Sequence, residues 1–118
     1  MFYYRKKGEK YNNKKVIIDN IKFDSKKEAN RYLELKFLLK YKKIKNLELQ
    51  KVFLLQKSFK DNEGKTQRAI KYIADFQYID VGSKKVIVED VKGMKTEVYK
   101  IKKKLLLYKF PKIIFKET

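Results

Sequence analysis

The chain has no cysteine, no histidine and no tryptophan, and only one proline and four glycines in 118 residues. Without cysteine there is no disulfide and no thiolate nucleophile, which fits a cytoplasmic protein. Without cysteine or histidine the common zinc sites are excluded, as is an imidazole general base. Any catalysis must rest on carboxylates, lysine, tyrosine, hydroxyls and a hard cation that takes oxygen ligands. No apolar run approaches the length of a membrane span, so no membrane-embedded segment is expected. The amino-terminal stretch MFYYRKKGEKYNNKK is basic and lacks the apolar centre of a secretory signal.

What the chain has in excess is positive charge. Lysine and arginine number 32 against 14 acids, a formal charge of +18, yet 43% of the residues are apolar. Such a chain can bury a core, but its self-repulsion is best tolerated beside a polyanion. Nucleic acid is the first candidate partner and an anionic membrane surface the second. The length suits one domain with one sheet and a few helices. Residues 1–13 have no clear periodicity and read as a flexible basic arm, leaving 14–118 as a single domain.

Two short strands, 15–19 and 21–24, flank a turn at Asp19-Asn20. Asp24 or Ser25 caps a helix that runs to about Tyr41, with Ala29, Tyr32, Leu33, Leu35, Phe37, Leu38 and Leu39 on a wide apolar face. IKNLELQKVFLLQKSF, 44–59, reads as a strand with Gln50 among the residues of one face and Leu49, Phe53 and Leu55 on the other. A hairpin loop at 60–65 leads to a long strand, 67–81. There Ile70, Tyr72, Ala74, Phe76 and Tyr78 should share one face and Ile73, Asp75 and Gln77 the other. A second turn at Gly82-Ser83 leads into VIVEDVKG. Thr96 caps a second helix to about Lys109, with Val98, Ile101, Leu105 and Tyr108 on one side; Pro111 stops it, and KIIFKE is a last strand. The order ββαβββαβ makes an α/β layer architecture, a mixed β-sheet flanked by two helices.

Three acids stand out. Asp75 interrupts an apolar strand, where an unpaired carboxylate is costly. Asp90 is in the next strand, and counting outward from the turn puts it within a residue or two of the level of Asp75. Lys92 lies two residues on, on the face of Asp90, whereas Glu89 points the other way as a structural acid. Glu28 opens the stripe 28, 32, 35 and 39 of the first helix; SKKE is also a capping box, so cap and metal-assisting roles both stand. As isolated features these have bland explanations: a surface ion pair for Asp90 and Lys92, a buried acid paired with a lysine for Asp75. Tyr99, Lys102 and Lys103 on the second helix are candidate phosphate contacts, although a solvated helix face looks the same.

The joint pattern of Asp75 in YIADF, Asp90 and Lys92 in EDVKG, and Glu28 in FDSKKEANRYLEL resembles the PD-(D/E)XK nuclease superfamily. The spread of FDSKKEA, LELQ, YIADF, VEDVKG and T-x-x-Y-x-x-K is similar to small phage- and prophage-encoded members long without an assigned function, related to Holliday-junction resolvases and transposon-end nucleases. Ala74 stands where that family often has proline, and Asp90 where it more often has glutamate. The resemblance implies a restriction-endonuclease-like core over about 16–116 and a Mg²⁺-dependent DNA endonuclease, with Mn²⁺ a substitute, acting on branched or structured DNA. It implies Asp75, Asp90 and the Val91 carbonyl as metal ligands, Glu28 assisting, and Lys92 acting on the water. A homodimer, as in the resolvases, and the cytoplasm of a bacterial host follow from the same resemblance. Two other expectations stay beside it: a non-catalytic nucleic-acid-binding module with structural carboxylates, and an interaction protein for an acidic partner.

Overall fold

The computed structural model describes residues 15–91 and 95–118. The proposed arm at 1–13 and Lys92 both lie outside the described residues. The elements run β1 (Val16–Ile18), β2 (Ile21–Phe23), α1 (Lys26–Lys40), β3 (Ile44–Gln56), β4 (Phe59–Lys60), β5 (Thr66–Gln67), β6 (Ile70–Asp80), β7 (Val86–Asp90), α2 (Glu97–Lys109) and β8 (Ile114–Glu117). The main sheet has the order β3-β6-β7-β8; its first three strands are antiparallel, and β8 joins β7 in parallel after the α2 crossover. This mixed sheet with a helix on either face is a restriction-endonuclease-like α/β core. No helix among the described residues is long and apolar enough to cross a membrane.

Local chemistry explains most boundaries. Asp19 and Asn20 both have positive φ, 54° and 63°, the backbone of a two-residue hairpin turn that these residue types tolerate best. Ser25 is the N-cap of α1, its hydroxyl accepting the Glu28 N–H at 3.1 Å. At the other end Lys42 has φ 59°, and the Lys43 N–H returns to the Leu38 carbonyl at 2.9 Å, closing the helix with a left-handed residue where glycine is usual. Strand β3 stops at Gln56 and not at 59, and β6 begins at Ile70. Between them the two-residue strands β4 and β5 form a separate ribbon, its loop organised by Asp61, whose carboxylate accepts the N–H groups of Glu63 and Lys65 and the Gln67 amide. Those hydrogen bonds hold the Asp61 carboxyl below its ordinary value.

Two cores lie on opposite faces of the sheet, since the adjacent residues Ile87 and Val88 of β7 fall in different ones. On one face Ala29, Tyr32 and Leu35 of α1 pack on Phe23, Ile44, Phe76 and Tyr78; on the other, Tyr99 and Leu106 of α2 pack on Phe53, Tyr72, Ala74 and Val88. This corrects three expectations. Within β6, Tyr72 and Ala74 pack toward α2 while Phe76 and Tyr78 pack toward α1, so the strand exchanges faces at Asp75. Within β3, Leu47 and Leu49 pack toward α1 and Phe53 and Leu55 toward α2; between them Gln50 has φ 52°. Two neighbouring strands swap faces at the same level and so stay paired. Lastly, Val98, Ile101, Leu105 and Tyr108 are not the packed side of α2: they are 61, 60, 42 and 86% exposed. The helix is apolar on several sides, and it is Tyr99 and Leu106 that meet the aromatic surface of Tyr72 and Phe115. On α1, Leu33 and Phe37 are likewise exposed.

Candidate functional site

The site forms where β6 and β7 part. Their ladder runs from Ile79↔Val86 to Phe76↔Glu89; one step further Asp75 faces Asp90. At that step side chains take over from the backbone. The Asp75 N–H donates to Asp90 Oδ1 at 3.1 Å, and the Val91 N–H donates to Asp75 Oδ2 at 2.8 Å. Each carboxylate thus accepts an N–H from the other's strand, which fixes both orientations. Asp90 is 1% exposed and Asp75 is half-buried.

The same cross-strand row continues both ways. Pairing of Leu49 with Phe76 and of Lys51 with Ala74 sets Gln50 opposite Asp75, and Asp90 is aligned with Glu117 on β8. At the outer end of the row the Gln50 amide donates to Glu28 Oε2 at 3.3 Å. The Glu28 N–H is capped by Ser25, while its side chain, 8% exposed, turns to the sheet. At the other end the Tyr99 hydroxyl donates to Glu117 Oε2, and Lys95 and Lys103 reach the same carboxylate at 3.0 and 3.3 Å. The hydrogen bond from Tyr99, then that from Lys95, holds the Glu117 carboxyl down to about 2. Burial first, and then Glu117, pushes the Tyr99 phenol well above its ordinary value, with smaller contributions from the charges of Asp90 and Asp75.

Glu89 is the structural acid expected of it. It is fully buried on the α1 face, gripped by the Arg31 guanidinium through Nε on Oε2 and Nη2 on Oε1, the latter at 3.0 Å. Tyr78 donates to Oε1 at 2.7 Å and Thr118 to Oε2 at 3.1 Å. Burial pushes the Glu89 carboxyl up, but the Arg31, Tyr78 and Thr118 bonds outweigh it and the net shift is downward. The Thr118 N–H also donates to the Asp90 carbonyl at 2.9 Å, so Thr118 fastens both acids of the strand.

Thus the structure brings together Asp75, Asp90 and the Val91 backbone, with Tyr99 alongside and Glu28 linked through Gln50. Among the described residues no group of three or more acids is arranged to hold a metal ion. Lys103 is engaged by Glu117; Lys102 is in no ion pair among the described residues. Sequence reasoning missed Gln50 and Glu117 as members of the row. The parallel alignment of KIIFKE with VIVED was the available signal for Glu117, and LELQ among the resembling motifs was the available signal for Gln50.

No curated protein and no solved structure matches the chain. A family model described as "Protein of unknown function (DUF1064)" matches residues 8–117, nearly the whole length, and the chain belongs to that DUF1064 family.

Proposed function

We propose that the protein is a metal-dependent DNA endonuclease of the PD-(D/E)XK kind, with the aspartate pair at its centre. The observation that carries this is the facing of Asp75 and Asp90 at the fork of two strands, oriented by each other's backbone, in a chain of charge +18. Two carboxylates and a nearby carbonyl are hard oxygen donors of the number a small dication takes from protein, phosphate and water completing its shell. Mg²⁺, or Mn²⁺ in its place, held by Asp75, Asp90 and the Val91 carbonyl with Glu28 assisting, would supply a water of lowered pKa and neutralise charge on the phosphate. The chain's own part is positional. Backbone N–H bonds keep the two aspartates from turning outward, and the Arg31–Glu89 pair anchors the strand that carries Asp90. Lys92, two residues beyond, is the group to orient the attacking water or stabilise charge on the departing oxygen. Tyr99, Lys102 and Lys103 of α2 would contact phosphates of the DNA strand. By the same family resemblance the substrate is branched or structured DNA, the source a phage, and the working unit a dimer.

The rival reading is a nucleic-acid-binding module with structural carboxylates. It is favoured by one observation: the interlocked N–H bonds already give each aspartate a purpose in ending the ladder. Cleavage of linear, nicked, single-stranded and four-way-junction DNA with Mg²⁺, Mn²⁺ or EDTA separates the two. The nuclease cuts with metal and not with EDTA, and Asp75→Ala, Asp90→Ala and Lys92→Ala each abolish cutting while keeping DNA binding. A wild-type protein that binds with steep salt dependence and cuts none of the substrates is the module instead.

A further inference from the structure

Gln50 holds a backbone conformation that its residue type does not favour. Among the described residues five other non-glycine positions have positive φ. Asp19, Asn20, Lys42 and Lys84 lie in the turns and loops between elements, and Asn46 sits at a register shift of β3. Gln50, at φ 52°, lies inside β3 where the register is unbroken: Leu49 pairs with Phe76 and Lys51 with Ala74. A β-carbon is unfavourable in that conformation, and glycine or asparagine tolerates it best.

The conformation decides where the side chain goes. Leu49 packs in the α1 core, so regular alternation would turn Gln50 toward α2. Instead its amide donates to Glu28 Oε2, on the first turn of α1, at 3.3 Å. Glycine would suit the backbone but brings no amide, and asparagine carries its amide one methylene short. Glu28, Asp75 and Asp90 do not close by themselves into one group of acids able to hold a metal ion. Gln50 stands between them, bonded to Glu28 and level with Asp75 across the sheet.

We propose that Gln50 is a positioning residue of the metal site: its amide holds the Glu28 carboxylate toward the aspartate pair, and the left-handed backbone is what lets it do so. Gln50 acts through Glu28, as groups behind a metal's ligands fix their orientation. The inference rests on the metal-binding part of the proposed function and not on cleavage.

The test is calorimetric titration of Mn²⁺ into the full chain without DNA, with thermal melting beside it, for wild type, Gln50→Ala, Gln50→Gly, Glu28→Ala and the double variant Glu28→Ala with Gln50→Ala. Gln50→Gly should melt above Gln50→Ala, since both lack the amide and only glycine is at ease at this φ. Both should nevertheless bind Mn²⁺ roughly tenfold more weakly than wild type. That loss then follows the amide and not the stability, which a merely structural role would not produce. On the Glu28→Ala background Gln50→Ala should weaken Mn²⁺ binding no further, because its effect passes through Glu28. Binding of a labelled single-stranded oligonucleotide in EDTA should be the same in wild type and Gln50→Ala. Wild-type Mn²⁺ affinity in Gln50→Gly and Gln50→Ala overturns the inference, as does an equal Gln50→Ala loss with and without Glu28. A loss confined to oligonucleotide binding also overturns it and makes Gln50 a DNA contact. A folded wild type that binds no Mn²⁺ overturns the metal reading itself, a different failure.

Discussion

Arg31→Met isolates the charge that holds the strand carrying Asp90. The substitution keeps much of the arginine stem and removes the guanidinium that meets both oxygens of Glu89. Glu89 has no exposed side-chain surface, and Arg31 has 16%, so water cannot replace the lost partner. Removing one member of a buried pair costs about 3–5 kcal/mol, because the remaining charge is stranded. Tyr78 and Thr118 still donate to Glu89, which sets the expectation near the lower bound, about 3 kcal/mol. For a domain of this size 1 kcal/mol moves the melting temperature by about 4 °C, so Arg31→Met should melt roughly 12 °C lower. That is a large part of a total stability of about 5–15 kcal/mol. A double-mutant cycle with Glu89→Gln, followed by thermal and urea unfolding, gives the coupling. The double variant should be more stable than Arg31→Met alone, since no buried charge is left without a counter-ion. A loss under 1 kcal/mol for Arg31→Met, or no coupling in the cycle, would refute the view that this pair anchors β7.

Other outcomes follow from the same structure. Lys42→Gly should stabilise the protein by about 0.5–1 kcal/mol in urea unfolding, because Lys42 sits at φ 59° where a β-carbon is unfavourable. Glu117 is held down to about 2 in the folded protein, below the usual carboxylate value. Its contribution is thus complete above the unfolded-state pKa of about 4.3 and is lost as pH falls from there toward 2. Melting followed from pH 6 to pH 2.5 should show a smaller fall in Glu117→Gln than in wild type. Asp90→Asn should keep the fold, seen by an unchanged circular dichroism spectrum, while cleavage is lost by at least a hundredfold. Glu89→Ala, one residue away, should act the other way and unfold the protein before its chemistry can be measured.

Local signals in the sequence were enough for the turn at Asp19-Asn20, the caps Ser25 and Thr96 and the stop at Pro111, since each depends on near neighbours. The level of Asp75 against Asp90 was also legible, because a short hairpin fixes register by counting from its turn. The face exchange at Gln50 and Asp75 was not. Apolar residues keep their spacing of two through it, so the pattern reads as one uninterrupted face while the backbone turns over. The docking side of α2 was hidden for a related reason: with apolar residues on several sides, its orientation is decided by Tyr72 and Phe115, distant in sequence. Glu28 could be read as a cap or as a site acid; the structure gives its N–H to the cap and its carboxylate to Gln50.

The central claim, that Asp75 and Asp90 together hold a hard dication, is tested most directly by calorimetric titration of Mn²⁺ into the wild-type protein, Asp75→Asn and Asp90→Asn, without DNA. The account predicts saturable binding to the wild type, loss of that binding in both variants, and a wild-type melting temperature that rises with added Mn²⁺. Equal Mn²⁺ binding by all three proteins, or none by a correctly folded wild type, would contradict it.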